Sequence, residues 1–140
     1  MSDPGKFHVE REDTDFRTEL NSFKKKYFGR KRKPLRAFDT LLEGIFDSLE
    51  TNPRNTQPSV RGTRARPEKW PKGSYQEHLG FWKLMFQVPG QAGDAGQGRL
   101  MYQINFRSNS VLPLMIYTHK DHTKRPPDDE IKRVLERHSD

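Results

Sequence analysis

The stretch Arg99-Leu100-Met101-Tyr102-Gln103-Ile104-Asn105-Phe106 decides how this chain is read. Leu100, Tyr102, Ile104 and Phe106 alternate with Arg99, Met101, Gln103 and Asn105, the period of two that marks a half-buried strand. One side faces a core; the other holds Arg99 against water or a ligand. In the partner strand that follows, the alternation predicts Leu112, Leu114 and Ile116 on the core side and Met115, Tyr117 and His119 on the opposite one. Upstream, Leu79 to Val88 alternates in the same way, with Trp82, Leu84, Phe86 and Val88 on one face and Phe81, Lys83, Met85 and Gln87 on the other. Lys83 therefore joins Arg99 and His119 on a polar side. The connection PGQAGDAGQG holds four glycines in ten residues but lacks the spacing and following helix of a phosphate-binding loop, so it reads as a flexible hairpin turn.

Toward the N-terminus, Lys6-Phe7-His8-Val9-Glu10 alternates as a short edge strand with Phe7 and Val9 inward. From Asp13 or Thr14 as N-cap, Phe16, Leu20, Phe23 and Tyr27 fall on one stripe of a helix that Gly29 ends. A second helix is predicted to start after Pro34, with the stripe Leu35, Phe38, Leu42, Ile45 and Leu49, and to stop at Thr51-Asn52-Pro53. The short joint predicts an antiparallel hairpin that lays its apolar stripe on the sheet. Eight of the thirteen residues from Lys24 to Arg36 are basic and none is acidic, which makes the joint either a solvated face or a phosphate-contacting one.

Thr51 to Ser74 carries four prolines, six basic residues and one acidic residue with no helical or strand period, so residues at about 51–78 read as one long basic loop. Within it Arg61, Arg64, Arg66, Lys69 and Lys72 surround Trp70, which either stacks on a base or packs on the core as a lid. Past the last strand come His119, Lys120, His122, Lys124 and Arg125. Pro126-Pro127 breaks the chain there, and Asp128 is expected to cap a short helix with Ile131, Val134 and Leu135 inward.

A chain of 140 residues that is 31% hydrophobic and 32% charged fits one domain with a small core. Its 26 Lys and Arg against 19 Asp and Glu, a net charge of +7, favour a polyanionic or acidic partner. The absence of cysteine excludes disulfides and thiolate sites. No apolar run approaches a membrane span and the first residues lack a signal-peptide core, which points to the cytoplasm. His119 and His122 lie three apart with no third ligand near them in sequence, and His8, His78 and His138 are scattered, so no metal site is expected.

In this order of elements, the residues resemble the RelE/ParE superfamily of toxins from bacterial type II toxin-antitoxin systems. The likeness rests on Trp82-Lys83-Leu84, the Gly-rich hairpin, Arg99-Leu100-Met101-Tyr102-Gln103-Ile104, and the strand running into Ile116-Tyr117-Thr118-His119-Lys120. It covers Leu79 to Leu135 and, more loosely, the helical pair from Phe16 to Pro53 that exits through Leu49-Glu50-Thr51-Asn52-Pro53-Arg54; the arginine-rich loop has no part in it. It implies a single α+β toxin domain over residues 1–140: a two-helix hairpin packed on a mainly antiparallel sheet of about four strands, with a short C-terminal helix.

The resemblance also implies a function. In the RelE branch such a domain enters the ribosomal A site and cuts mRNA without metal or cofactor, by attack of a 2'-OH on the adjacent phosphate. It is neutralised by an acidic antitoxin. Arg99 falls on the family's catalytic arginine and Lys83 on a lysine of the same groove. Asp121 stands where the RelE branch has an arginine, and the terminal helix has no tyrosine in the family's catalytic place. His119, His122 and Lys120 are the residues available to move protons and neutralise charge in their stead. The expected site is thus Arg99, His119 and Lys120 for catalysis, with Lys83, His122, Lys124, Arg125, Arg61, Arg64 and Trp70 against nucleic acid. Because of the two departures, a ParE-like DNA gyrase inhibitor and a catalytically inactive relative that binds RNA or protein stay open as alternatives.

Overall fold

In the computed structural model, which describes residues 6–56 and 58–137, the stripe of the first helix is buried along its whole length. This helix, α1, spans Thr14–Tyr27 and buries Phe16, Leu20, Phe23 and Tyr27. The Asp13 carboxylate accepts the Phe16 N–H at 3.1 Å, which makes Asp13 the cap, and Gly29 at φ +53° turns the chain out. The second helix, α2, spans Arg32–Thr51. It begins ahead of Pro34 rather than after it, because a proline inside the first turn sacrifices no intrahelical hydrogen bond. Phe38, Leu42, Ile45, Phe46 and Leu49 are its buried apolar residues, while Leu35 is only partly covered. Phe16 meets Phe46 edge-on at 6.2 Å and Phe23 stacks on Phe38 at 5.4 Å, so the helices run antiparallel. Each such side chain removed from water is worth about 1.5–3 kcal/mol, and this aromatic seam is the largest apolar cluster of the fold.

Five strands form one mixed sheet in the order β1 (His8–Val9), β5 (Ser110–Thr118), β4 (Gln97–Asn105), β3 (Leu79–Gln87), β2 (Arg64–Pro67). β5, β4, β3 and β2 are antiparallel neighbours, and β1 pairs parallel with β5. The architecture is α+β as expected, with one strand more than predicted. β2 lies inside the stretch expected to be loop. A strand of four residues shows too little alternation to register, and Pro67 is tolerated because β2 is an edge.

A second correction concerns β5. The β4–β5 ladder pairs Met101 with Met115 but Tyr102 with Pro113, leaving Leu114 as the extra residue of a bulge. The bulge reverses the side-chain parity upstream of it. Ile116 stays with Leu100 on the hairpin face, whereas Leu112 and Leu114 belong to the opposite cluster with Met115 and Tyr117.

The opposite face is not an open groove. The third helix, α3 (Asp128–Arg137), sets Ile131 and Leu135 on Phe81, Met101, Leu114, Met115 and Tyr117 and covers the middle of the sheet. Asp128 is in its first turn and binds Arg125 Nη2 at 2.7 Å, rather than acting as the cap. Among the described residues no helix is long and apolar enough to cross a membrane. His138 lies outside the described residues.

Candidate nucleic-acid interface

Register fixes what stands beside Arg99. Across four strands one row reads Arg64, Met85, Arg99, Tyr117, and the next reads Arg66, Lys83, Met101, Met115. α3 covers the second row from Lys83 to Met115. The first row stays partly open at the hairpin end of the sheet, around a shallow cavity of about 420 Å³ whose lining includes Arg64, Met85, Gln87, Gln97 and Arg99. The bare Cα of Gly98 allows the Phe86 ring to pass beside it, where a Cβ would come within 2.5 Å of that ring. β4 therefore lies flat on the core directly before Arg99.

Arg99 has no acid. Its guanidinium donates to Gly98 O at 3.0 Å and Gln97 Oε1 at 3.4 Å, both local. Burial, with Arg66 and Arg64 adding like charge, lowers its pKa from the ordinary value, while the Tyr117 phenol works in the other direction. Among the described residues no carboxylate forms an ion pair with Arg64, Arg66 or Arg99. Three guanidinium groups face one another with nothing to neutralise them, which is the electrostatic character of an anion site.

His119 is on the same face as Arg99. Its N–H donates to Gln97 O at 2.9 Å, extending the ladder in which Arg99 opposes Tyr117. Diagonal neighbours of this kind stand roughly 7–8 Å apart, within reach of long side chains. The imidazole is about a third exposed, with Nε2 4.0 Å from Asp94 Oδ1. His122 packs edge-on against Tyr117 at 5.4 Å, and Lys120 and Lys124 are exposed in the following turn. Arg61 is exposed just ahead of β2. Arg66, which the expected set did not include, shares a strand and a parity with Arg64; that parity was invisible without β2.

Three predicted contacts are corrected. Lys83 is 6% exposed and bonded to Glu68 at 3.0 Å, so it does not reach a groove. Arg125 binds the same carboxylate at 3.0 Å, Lys69 O at 2.6 Å and Asp128, and so ties the 68–70 segment to the start of α3. Trp70 is the lid and not the base platform, since its ring packs at 5.4 Å on Phe81 and 6.0 Å on Tyr75. In each case the side chain was read as solvent-facing, but α3 and the 68–75 segment come back over it.

Asp121 also has a structural role. It accepts from Thr118 N at 2.9 Å and Thr118 Oγ1 at 3.3 Å and pairs with Lys26 of α1. Burial pushes its carboxyl up, but Lys26 and the Thr118 N–H outweigh this and hold its pKa below the ordinary value. A carboxylate here closes the turn after β5 and fastens it to α1. An arginine at this position would face Lys26.

Sequence reasoning gave no weight to three further polar groups on the α3 side. Tyr117 Oη, Gln103 Oε1 and His78 Nε2 are buried without a hydrogen-bond partner. Nothing in the one-dimensional pattern marks such a group, because satisfaction depends on neighbours distant in sequence. Among the described residues no three His, Asp or Glu side chains gather closely enough to hold a metal ion. The chain matches no family model, no curated protein and no solved structure.

Proposed function

We propose that this chain is a toxin of a toxin-antitoxin pair that cleaves mRNA on the ribosome. The observation that supports it best is the acid-free cluster of Arg64, Arg66 and Arg99 on the same sheet face as His119. Such a cluster is suited to a phosphodiester, and to the additional negative charge that builds on it as a 2'-OH attacks. His119 takes the 2'-OH proton, the three arginines hold the phosphorane-like species, and His122 returns a proton to the departing 5' oxygen. The products are a 2',3'-cyclic phosphate and a free 5'-OH. Lys120 and Lys124 extend the phosphate track beyond the last strand.

The basic joint between the helices adds to this surface. Gln91 Nε2 donates to Tyr27 O at 2.7 Å and Gly90 abuts Pro34, so the joint flanks the hairpin that leads into Arg99. Lys25, Arg30, Lys31, Arg32, Lys33 and Arg36 are exposed there. A ribosomal RNA backbone or an acidic antitoxin segment is the partner such a surface favours, with affinity that falls as salt rises.

The test is primer extension on a message translated by purified ribosomes, with wild type beside Arg99→Ala, His119→Ala and Lys83→Ala. Arg99→Ala should lose about a hundredfold or more in cleavage rate and His119→Ala roughly a hundredfold, each with unchanged thermal unfolding. Lys83→Ala should instead lower the unfolding temperature. Cleavage that persists in the Arg99 variant rejects the assignment. Intact messages with accumulating DNA breaks would make gyrase the target, and the absence of both would leave a binding protein without catalysis.

A further inference from the structure

We propose that the end of the α3 face remote from Arg99 is a binding site for an adenine nucleotide, built round Gln103 and His78. A cavity of about 610 Å³ opens there, between the sheet face, the turn after β4, the segment ahead of β3 and the end of α3. Gln103 lies at its floor and is 4% exposed, yet its Oε1 meets no donor. His78, whose backbone oxygen is fixed by the Phe106 N–H at 3.0 Å, presents a second buried and unpartnered atom, Nε2, to the same cavity. Two orphaned polar atoms from separate parts of the chain converge on one ligand-sized space. Elsewhere on this face the middle of the sheet is sealed by α3, so the site is physically separate from the arginine cluster.

The chemistry of the lining selects the ligand. A glutamine amide offers one acceptor and one donor side by side, and a half-turn of its last torsion only exchanges them. Adenine answers with its exocyclic amine and N7; guanine presents two acceptors on the corresponding edge and leaves the amide oxygen unpaired. Leu112 and the His78 ring supply a flat apolar wall for the base. Glu10 and Asp13 stand at the rim, where carboxylates take ribose hydroxyls. Arg107 lines the mouth, is exposed, and has no ion pair among the described residues, which suits it to the phosphate. Either a free nucleotide or an adenosine within an RNA strand brings these groups.

The experiment is calorimetric titration of the full chain with AMP, GMP, CMP, inorganic phosphate and a short oligoadenylate. AMP is expected to bind saturably, GMP at least tenfold more weakly, and CMP and phosphate without measurable heat. Gln103→Leu should weaken AMP by tenfold or more with no fall in unfolding temperature, since it removes an unpaired amide from an apolar face. Arg107→Ala should weaken AMP but not adenosine, and Arg99→Ala should leave AMP binding as in the wild type even where RNA cleavage is lost. Tighter binding of the oligonucleotide, still dependent on Gln103, identifies an RNA base as the occupant; tighter binding of AMP identifies the free nucleotide. AMP and GMP binding alike, affinity that survives Gln103→Leu, or no binding at millimolar AMP would each overturn the proposal.

Discussion

Tyr102 and Tyr117 stand on adjacent strands and opposite faces of one sheet, and both are buried. The hydroxyl of Tyr102 donates to Pro53 O at 2.6 Å, whereas that of Tyr117 meets no partner. Their surroundings differ in kind. Tyr102 sits under the helix hairpin, where burial alone drives its pKa far up. Tyr117 is pushed up to about 12 by burial and by Glu68, while Arg99, Arg125 and Arg66 pull the other way. The hairpin face is dry, aromatic and satisfied. The α3 face carries cations, a buried ion-pair network and orphaned polar atoms, and it is closed by a single short helix. A face built only for stability leaves few such atoms unpaired, because each costs about 1–3 kcal/mol; their concentration on one side marks where ligands are met.

The largest test of this contrast removes the tether of the α3 face. Glu68 is 9% exposed at its side chain and bonds both Lys83 and Arg125 at 3.0 Å. Glu68→Gln leaves two poorly hydrated cations without their anion, and should cost about 3 kcal/mol in urea unfolding. If the loss is below about 0.5 kcal/mol, the pair is no more than a surface contact and α3 is held by its apolar residues alone.

That tether shows where sequence reading stops. The stripes Phe16-Leu20-Phe23-Tyr27 and Phe38-Leu42-Ile45-Leu49, and the alternations about Leu84 and Tyr102, announce themselves because local periodicity and burial coincide. Parity correctly put Lys83, Arg99, Tyr117 and His119 on one face. It carried no information on what returns to cover that face, so Lys83 and Arg99 looked equivalent although one is paired and buried and the other is not. The bulge at Leu114 and the edge strand Arg64–Pro67 depend on pairing partners, which no window along the chain contains.

A smaller effect separates the two tyrosines directly. Tyr102→Phe strands the Pro53 carbonyl and should cost about 1–2 kcal/mol. Tyr117→Phe removes a hydroxyl that has no partner, and should change stability by less than about 0.5 kcal/mol or raise it. Equal losses in the two variants, measured by urea unfolding under one set of conditions, would erase the distinction between the faces.

The smallest effect lies at the seam where α1 meets α3. Glu19 is raised to about 7, chiefly by burial and then by Glu130 across the seam, against the opposing pull of Arg137. A carboxyl whose folded pKa is raised binds its proton more tightly in the native state than in the unfolded chain. Below about 4.5 both states are protonated and nothing is lost. Between there and about 7 the unfolded chain ionises first, so stability falls as pH rises; above about 7 the penalty is fully present. Because Glu19 keeps part of its hydration, solvent screening reduces the penalty to about 1 kcal/mol. Glu19→Gln should therefore unfold at a higher urea concentration than wild type at pH 8, and the gap should narrow steadily as the pH is lowered toward 5. Arg137 ties α3 to Asp15 of α1 at 3.1 Å, so the seam has a second bond that does not titrate in this range. A wild-type advantage at pH 8, or a gap independent of pH, would mean that Glu19 is ionised in the folded protein and that Arg137, rather than burial, governs its charge.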